Sequence, residues 1–247
     1  SQVSETIIAK YGIPLSAEDT QARIYTYHLD FPQADFHAAD MRLSADGHFT
    51  YDLVYPGGVL KDIYVGTLGA LNVENSIAAA AVCLCHGVDA QKVRHAIGTY
   101  RGARRRLDEH VNGKRVYIDD YAHHPAELEA AIRSIRGIFP GRHITAVFQP
   151  HLYTRTRDFA PEFAAALSLV DRVLLLDIYP ARELPIEGVD SNLILKDITL
   201  KDKELVGREE LLSRIAGLDT DVLVTFGAGN IDQFIEPIAK LLSERED

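Results

Sequence analysis

"VYIDDYAHHPAELEAAI", residues 116–132, opens as an apolar strand-like run and closes as an amphipathic helix. Two acids, a tyrosine and two histidines stand at the corner between them. Pro125 suits a first helical position, with His124 before it and Glu127 in the first turn, so part of this corner is helix-start chemistry. The same helix start exposes unpaired N–H groups and partial positive charge, which suit an anion. Asp119, deeper in the run, reads equally as a structural or a functional acid.

The same grammar recurs downstream. From about Arg106 onward the apolar runs "RVYID", "HITAVF", "DRVLLLDIY" and "DVLVTF" alternate with helical patterns near 125–137, 157–169, 208–215 and from 231. Near-continuous apolar strands joined by helices imply an α/β domain whose mainly parallel sheet is covered on both faces. Each run ends in polar residues: Asp119-Asp120-Tyr121-Ala122-His123-His124, Gln149-Pro150-His151-Leu152-Tyr153-Thr154-Arg155, Asp177-Ile178-Tyr179-Pro180-Ala181-Arg182-Glu183, and Gly227-Ala228-Gly229-Asn230. In an open parallel sheet these are carboxyl ends on one edge, where such folds bind ligands. Helix caps alone do not require His, Arg and Asp together at three strand ends.

Residues 1–66 read differently: a short helical start, then a β-rich antiparallel meander split by turns at 45–47 and 56–58. Two helices follow. The first places Ile77, Ala78, Ala81, Val82 and Cys85 on one stripe and stops at Gly87; the second has a cap at Asp89 and a stop at Gly98. The boundary between the two regions is expected at 106/107, giving domains 1–106 and 107–247.

Composition narrows the function. A net charge of −10 argues against a general nucleic-acid or membrane-surface binder, while leaving room for a local basic pocket. No apolar run approaches the ~18 residues of a membrane span, and the first residues lack a signal-peptide pattern, so a cytoplasmic protein is expected. Cys83 and Cys85 are two apart on a helix and do not face one another, so they read as reduced core fillers. The run "YRGARRRLDEH" puts Arg101, Arg104, Arg105 and Arg106 at the expected junction, as a solvated face or as phosphate ligands. His123, His124, His151 and Asp120 raise the question of a metal, but adjacent histidines point apart and no helical histidine pair accompanies them, so no bound metal is expected. "FGAGN" lacks the third glycine of a dinucleotide loop, which would fall at Asp232, and too little chain follows it for a βαβ unit. A GxxxxGK[ST] phosphate loop is absent from the sequence.

A resemblance is carried by "GALNVENSIAAA", "YRGARRRLDEH", "IDDYAHHPAEL", "FQPHLYTRTRDF", "LLDIYPARELPIEGV" and "TFGAGNID". In this order they resemble the Mur ligases, and DDYAHHP with QPHxYTRT and DIYPARE resembles the alanine-adding branch of that family. The resemblance implies a Rossmann-like C-terminal domain preceded by the later part of a central ATP-binding domain. It also implies an N-terminally truncated fragment, inactive alone. The implied reaction is ATP-dependent amide formation between UDP-N-acetylmuramate and L-alanine through an acyl phosphate, for cell-wall precursor synthesis. ATP and Mg2+ are the implied cofactors, the magnesium ligands lying mostly upstream.

By position, Asn72 resembles the adenine-reading amide, with Asn75 a weaker neighbour; Arg106 resembles the phosphate arginine and Asp120 the ribose acid. Tyr121, His123, His151 and Arg155 resemble the L-alanine group, Arg155 facing its carboxylate. Arg106, Asp120 and His123 form the implied catalytic set, and Asp177 and Arg182 line the same edge. Two departures stand out: Leu71 replaces a histidine common before the adenine-reading asparagine, and Leu152 replaces an arginine common after the QPH histidine. The competing readings are a muramyl-peptide recycling ligase and a non-catalytic nucleotide- or amino-acid-binding module.

Overall fold

The computed structural model describes residues 5–15 and 20–244. Its chain forms two compact units, residues 1–102 and 103–247. The division falls between Arg101 and Arg104, and the reason is local. Arg105 bonds to Asp119 and to the Gly227 carbonyl, and the Leu107 N–H bonds to Asp120, so residues 104–107 are tied into the second unit.

In the first unit, five strands stand in chain order: β1 (Thr6–Lys10), β2 (Arg23–His28), β3 (Phe36–Leu43), β4 (Phe49–Tyr55) and β5 (Gly58–Tyr64). The expected antiparallel meander holds only for β3–β4–β5; β1–β2 and β2–β3 are parallel. A tight turn joins β4 to β5, which leaves that pair no other direction than antiparallel. The expected helical start is strand at Thr6–Lys10, where Ile7 and Ile8, stiff β-branched residues, pair with Ile24 and Tyr25. The remainder of that expectation, at residues 1–4, lies outside the described residues.

Helix α1 (Ala70–Cys85) packs on this sheet through Val73, Ile77, Ala80 and Ala81. The expected stripe was rotated slightly: Val82 is exposed, because the buried row follows positions 73, 77, 80 and 81. Asp89 caps α2 (Ala90–Thr99) by accepting the N–H groups of Gln91 and Lys92. Cys83 and Cys85 are free thiols packed at the margin of this core.

The second unit holds a six-stranded sheet in the order β10-β9-β8-β11-β7-β6. These are β6 (Asp108–Asn112), β7 (Val116–Asp120), β8 (Ile144–Phe148), β9 (Arg172–Leu175), β10 (Lys203–Leu205) and β11 (Val222–Phe226). All neighbours are parallel except β6–β7. The edge strands β6 and β10 carry no apolar run and were not legible as strands. Every residue of β7, β8 and β11 is buried, as a sheet covered on both faces requires. One face packs Tyr117, Val147, Leu174 and Leu223 against α6 (Leu211–Ala216) and α7 (Ile235–Ser243). Side chains alternate across the sheet, so Phe148 points to the opposite face, where its ring meets Phe163 of α4 (Tyr153–Leu167), 5.2 Å away. Helix α3 (Pro125–Ile138) follows β7, and a single turn, α5 (Asn192–Leu195), lies between β9 and β10. Helix α4 starts four residues earlier than expected and is kinked at Phe159, two residues before Pro161, whose ring cannot continue the regular ladder.

Candidate functional site

Register brings the four strand ends level. Asp120 pairs with Phe226, Phe226 with Phe148, and Phe148 with Leu175, a single row across β7, β11, β8 and β9. The polar clusters therefore leave the sheet from one edge, as the alternation of strands and helices implied.

At the end of β7 the two acids do different work. Asp119 is fully buried; its carboxylate accepts from Arg105 Nε at 2.8 Å and from the Thr225 hydroxyl at 2.6 Å, which makes it a structural anchor. Asp120 spends one oxygen on the Leu107 N–H and the other on the Ala122 N–H, both at 2.8 Å. Burial raises the Asp120 carboxyl above its ordinary range, against those two bonds and the charge of Arg106, which pull it down. So the carboxylate expected to face a ribose is already engaged on both sides by backbone.

Arg105 and Leu107 have φ of 61° and 45°, a left-handed backbone that side chains disfavour. Carboxylates hold this turn: Asp108 accepts the Arg105 N–H and Asp120 that of Leu107. Arg105 is turned inward, donating to the Gly227 carbonyl at 2.5 Å and lying over the Tyr121 ring at 5.1 Å. Arg104 and Arg106 stay exposed. With Arg105, Tyr121 and Asp232 they line a cleft of about 450 Å³. Arg105 is already paired with Asp119, so the exposed Arg104 and Arg106 are the guanidinium groups that suit an anion such as a phosphate chain.

From Tyr121 a file of rings runs along the edge. Tyr121 meets His123 at 5.1 Å, His123 meets His151 at 6.1 Å, and His151 stacks on Tyr179 at 5.7 Å. Arg155 Nη1 lies 3.5 Å from His151 Nδ1. Burial first, then the charges of Arg155 and His123, lower the His151 pKa, while Glu183 opposes them. A ring kept neutral beside a guanidinium can accept a hydrogen bond from an ammonium group and leave the cation to a carboxylate. Behind it, α3 closes its own start: Glu127 accepts the N–H groups of His123 and His124, and His124 Nδ1 accepts that of Ala126.

The end of β11 is a packing joint. A Cβ on Gly227 would lie 2.7 Å from the Gln149 carbonyl, and one on Gly229 would lie 2.7 Å from Tyr179 Cβ. Close approach of strand ends, without a cofactor, accounts for both glycines. Gln149 bonds to Asn230 and the Ile231 N–H, and Arg208 donates to Asn230. Gln149 and Asn230 stood in the quoted strand-end clusters, but Arg208 carried no local signal.

Of the other expected residues, Asn72 and Asn75 lie in the first unit, early on α1. Asn72 donates to the Leu68 carbonyl and accepts from Asn75. Asp177 and Arg182 follow β9 and are exposed. Among the described residues no group of three or more His, Cys, Asp or Glu side chains is gathered to hold a metal ion. None of the described helices is long and apolar enough to cross a membrane.

A family profile, the glutamate ligase domain of Mur ligases, matches residues 104–229. A UDP-N-acetylmuramate–L-alanine ligase of Porphyromonas gingivalis W83 is 43% identical over 244 residues, 98% of this chain and 53% of that protein. The ligase of the same name in Parabacteroides distasonis is 46% identical over 222 residues, 90% of this chain and 48% of that protein. The chain thus spans about half the length of the curated relatives it matches. Two solved Thermotoga maritima proteins share the fold. A UDP-N-acetylmuramate–alanine ligase has a TM-score of 0.66 at 22% identity, covering 90% of this chain and 48% of that one. A folylpolyglutamate synthase has a TM-score of 0.68 at 17% identity, covering 89% and 50%.

Proposed function

The chain belongs to the Mur ligase family, and from that premise we propose that it carries the C-terminal ligase domain and part of the central ATP-binding domain of a cytoplasmic ATP-dependent UDP-N-acetylmuramate–L-alanine ligase. A carboxylate is a poor electrophile at neutral pH. Phosphorylation supplies it with a leaving group, and the alanine amine then displaces phosphate to form the amide. The catalytic demand is positioning and charge neutralisation.

Arg106, with Arg104 beside it, holds phosphate oxygens at the arginine-lined cleft, and Asn72 reads the adenine edge with Asn75 supporting it. Asp120 sets the arginine turn from behind. Arg155 takes the alanine carboxylate; His123, His151 and Tyr121 orient its amine. Asp177 and Arg182 border the same edge.

The observation that carries this reading is the level row of strand ends, which delivers four aromatic or imidazole rings and Arg155 to one edge. The test is ADP release with Mg-ATP, UDP-N-acetylmuramate and L-alanine, from this chain and from the protein extended upstream to include a phosphate loop. Alanine-dependent release from the extended protein alone is expected, with Arg155→Ala raising the alanine KM at least about tenfold. Release by the 247-residue chain alone would overturn the placement of ATP. Silence from both would favour a nucleotide- or amino-acid-binding module.

A further inference from the structure

Helix α4 carries Arg155 in its first turn, yet that turn is not capped from its own sequence. The residue before the helix, Leu152, offers no side-chain acceptor, and its φ of 76° with ψ of 134° is a backbone state that a branched side chain disfavours. The first N–H groups of a helix need acceptors from elsewhere. Here the acceptor is Glu183, 29 residues downstream: its carboxylate accepts the Thr154 N–H at 3.0 Å and the Thr154 hydroxyl at 2.5 Å. Two further ties run between the same two segments. Leu152 N–H donates to the Tyr179 carbonyl at 3.0 Å and Tyr179 N–H donates to the Pro150 carbonyl at 2.8 Å, and together these two bonds make His151 and Tyr179 a parallel bridge.

We propose that Glu183 is a positioning residue for amino-acid binding: the segment 179–183 braces residues 150–154, and Glu183 fixes the first turn of α4 so that Arg155 and His151 face one substrate together. The inference rests on the amino-acid role proposed for those two residues. It has a second consequence. The Glu183 carboxylate fills the start of α4, so a substrate carboxylate is turned away from the helix N-terminus and toward the Arg155 guanidinium. The negative charge also lies near enough to His151 to oppose the lowering of its pKa by Arg155.

Two measurements on Glu183→Gln test the brace. In this chain, hydrogen exchange at the Thr154 amide reports the tie directly, and faster exchange than in the parent is expected. In the upstream-extended protein, the alanine KM is expected to rise by about tenfold with kcat and the ATP KM within about twofold, because the change displaces a binding group without removing it. Thr154→Val removes the hydroxyl tie while keeping the Glu183 charge and gives a smaller rise; Thr154→Ser, which keeps both donors, gives none.

Unchanged Thr154 exchange would overturn the brace. So would an unchanged alanine KM in Glu183→Gln where Arg155→Ala still raises it, and that result would leave the ligase reading standing. A fall in kcat with the alanine KM unmoved would mark a general structural role and also overturn it. An alanine KM indifferent to Arg155→Ala would sink the amino-acid site itself, and the brace with it.

Discussion

Arg105 and Arg106 are neighbours with opposite surroundings. Arg105 is committed to Asp119, the Gly227 carbonyl and the Tyr121 ring, while Arg106 remains exposed beside the cleft. The run of arginines was legible in the sequence; which of them is a staple was not, because that depends on a carbonyl 122 residues away. His151 shows the same dependence in its proton. Burial and Arg155 lower its pKa, so on acidification the unfolded chain takes up the proton first. Stability therefore falls as pH drops through about 6.5, the unfolded histidine value, and levels off below the depressed folded one. Arg155→Gln removes one of the lowering charges. The His151 midpoint, followed by NMR titration, is expected to move up toward the unfolded value; a downward move would mean that Arg155 does not face the ring.

At the scale of elements, the helix starts divide by how far their partners lie. Helix α3 caps itself with Glu127 and His124, both within its own first residues, and Pro125 announced it. Helix α4 depends on Glu183, and residues 150–156 alone carry no local signal for its start. The strands divide in the same way. β7, β8 and β11 lie buried on both faces and spell continuous apolar runs; β6 and β10, at the edges, do not. The end of β11 provides a direct check. Gly229→Ala places a methyl group 2.5 Å from the Gln149 amide oxygen and 2.7 Å from Tyr179 Cβ. The variant is expected to lose about 1–3 kcal/mol of stability by overpacking, measured by denaturant unfolding. A neutral effect would reopen a ligand-loop reading of these glycines.

For the whole molecule, the second unit has the makings of an independent domain: one sheet, helices on both faces and a continuous core under α6 and α7. Residues 103–247 expressed alone are expected to unfold cooperatively and to give dispersed amide spectra; a collapsed, poorly dispersed product would count against that autonomy. The first unit keeps its own core between α1, α2 and the five-stranded sheet. The sequence by itself determined the α/β class, the alternation of strand and helix after Arg106, and the clusters of polar residues at four strand ends. Burial periodicity and local torsional preference are written residue by residue, so they survive without a structure. Only the tertiary structure decided that β1–β3 run parallel, that both oxygens of Asp120 are taken by backbone, and that Glu183 starts a helix 29 residues upstream. Those outcomes depend on where chain closure brings distant donors and acceptors, and a buried polar group takes whichever partner arrives in reach.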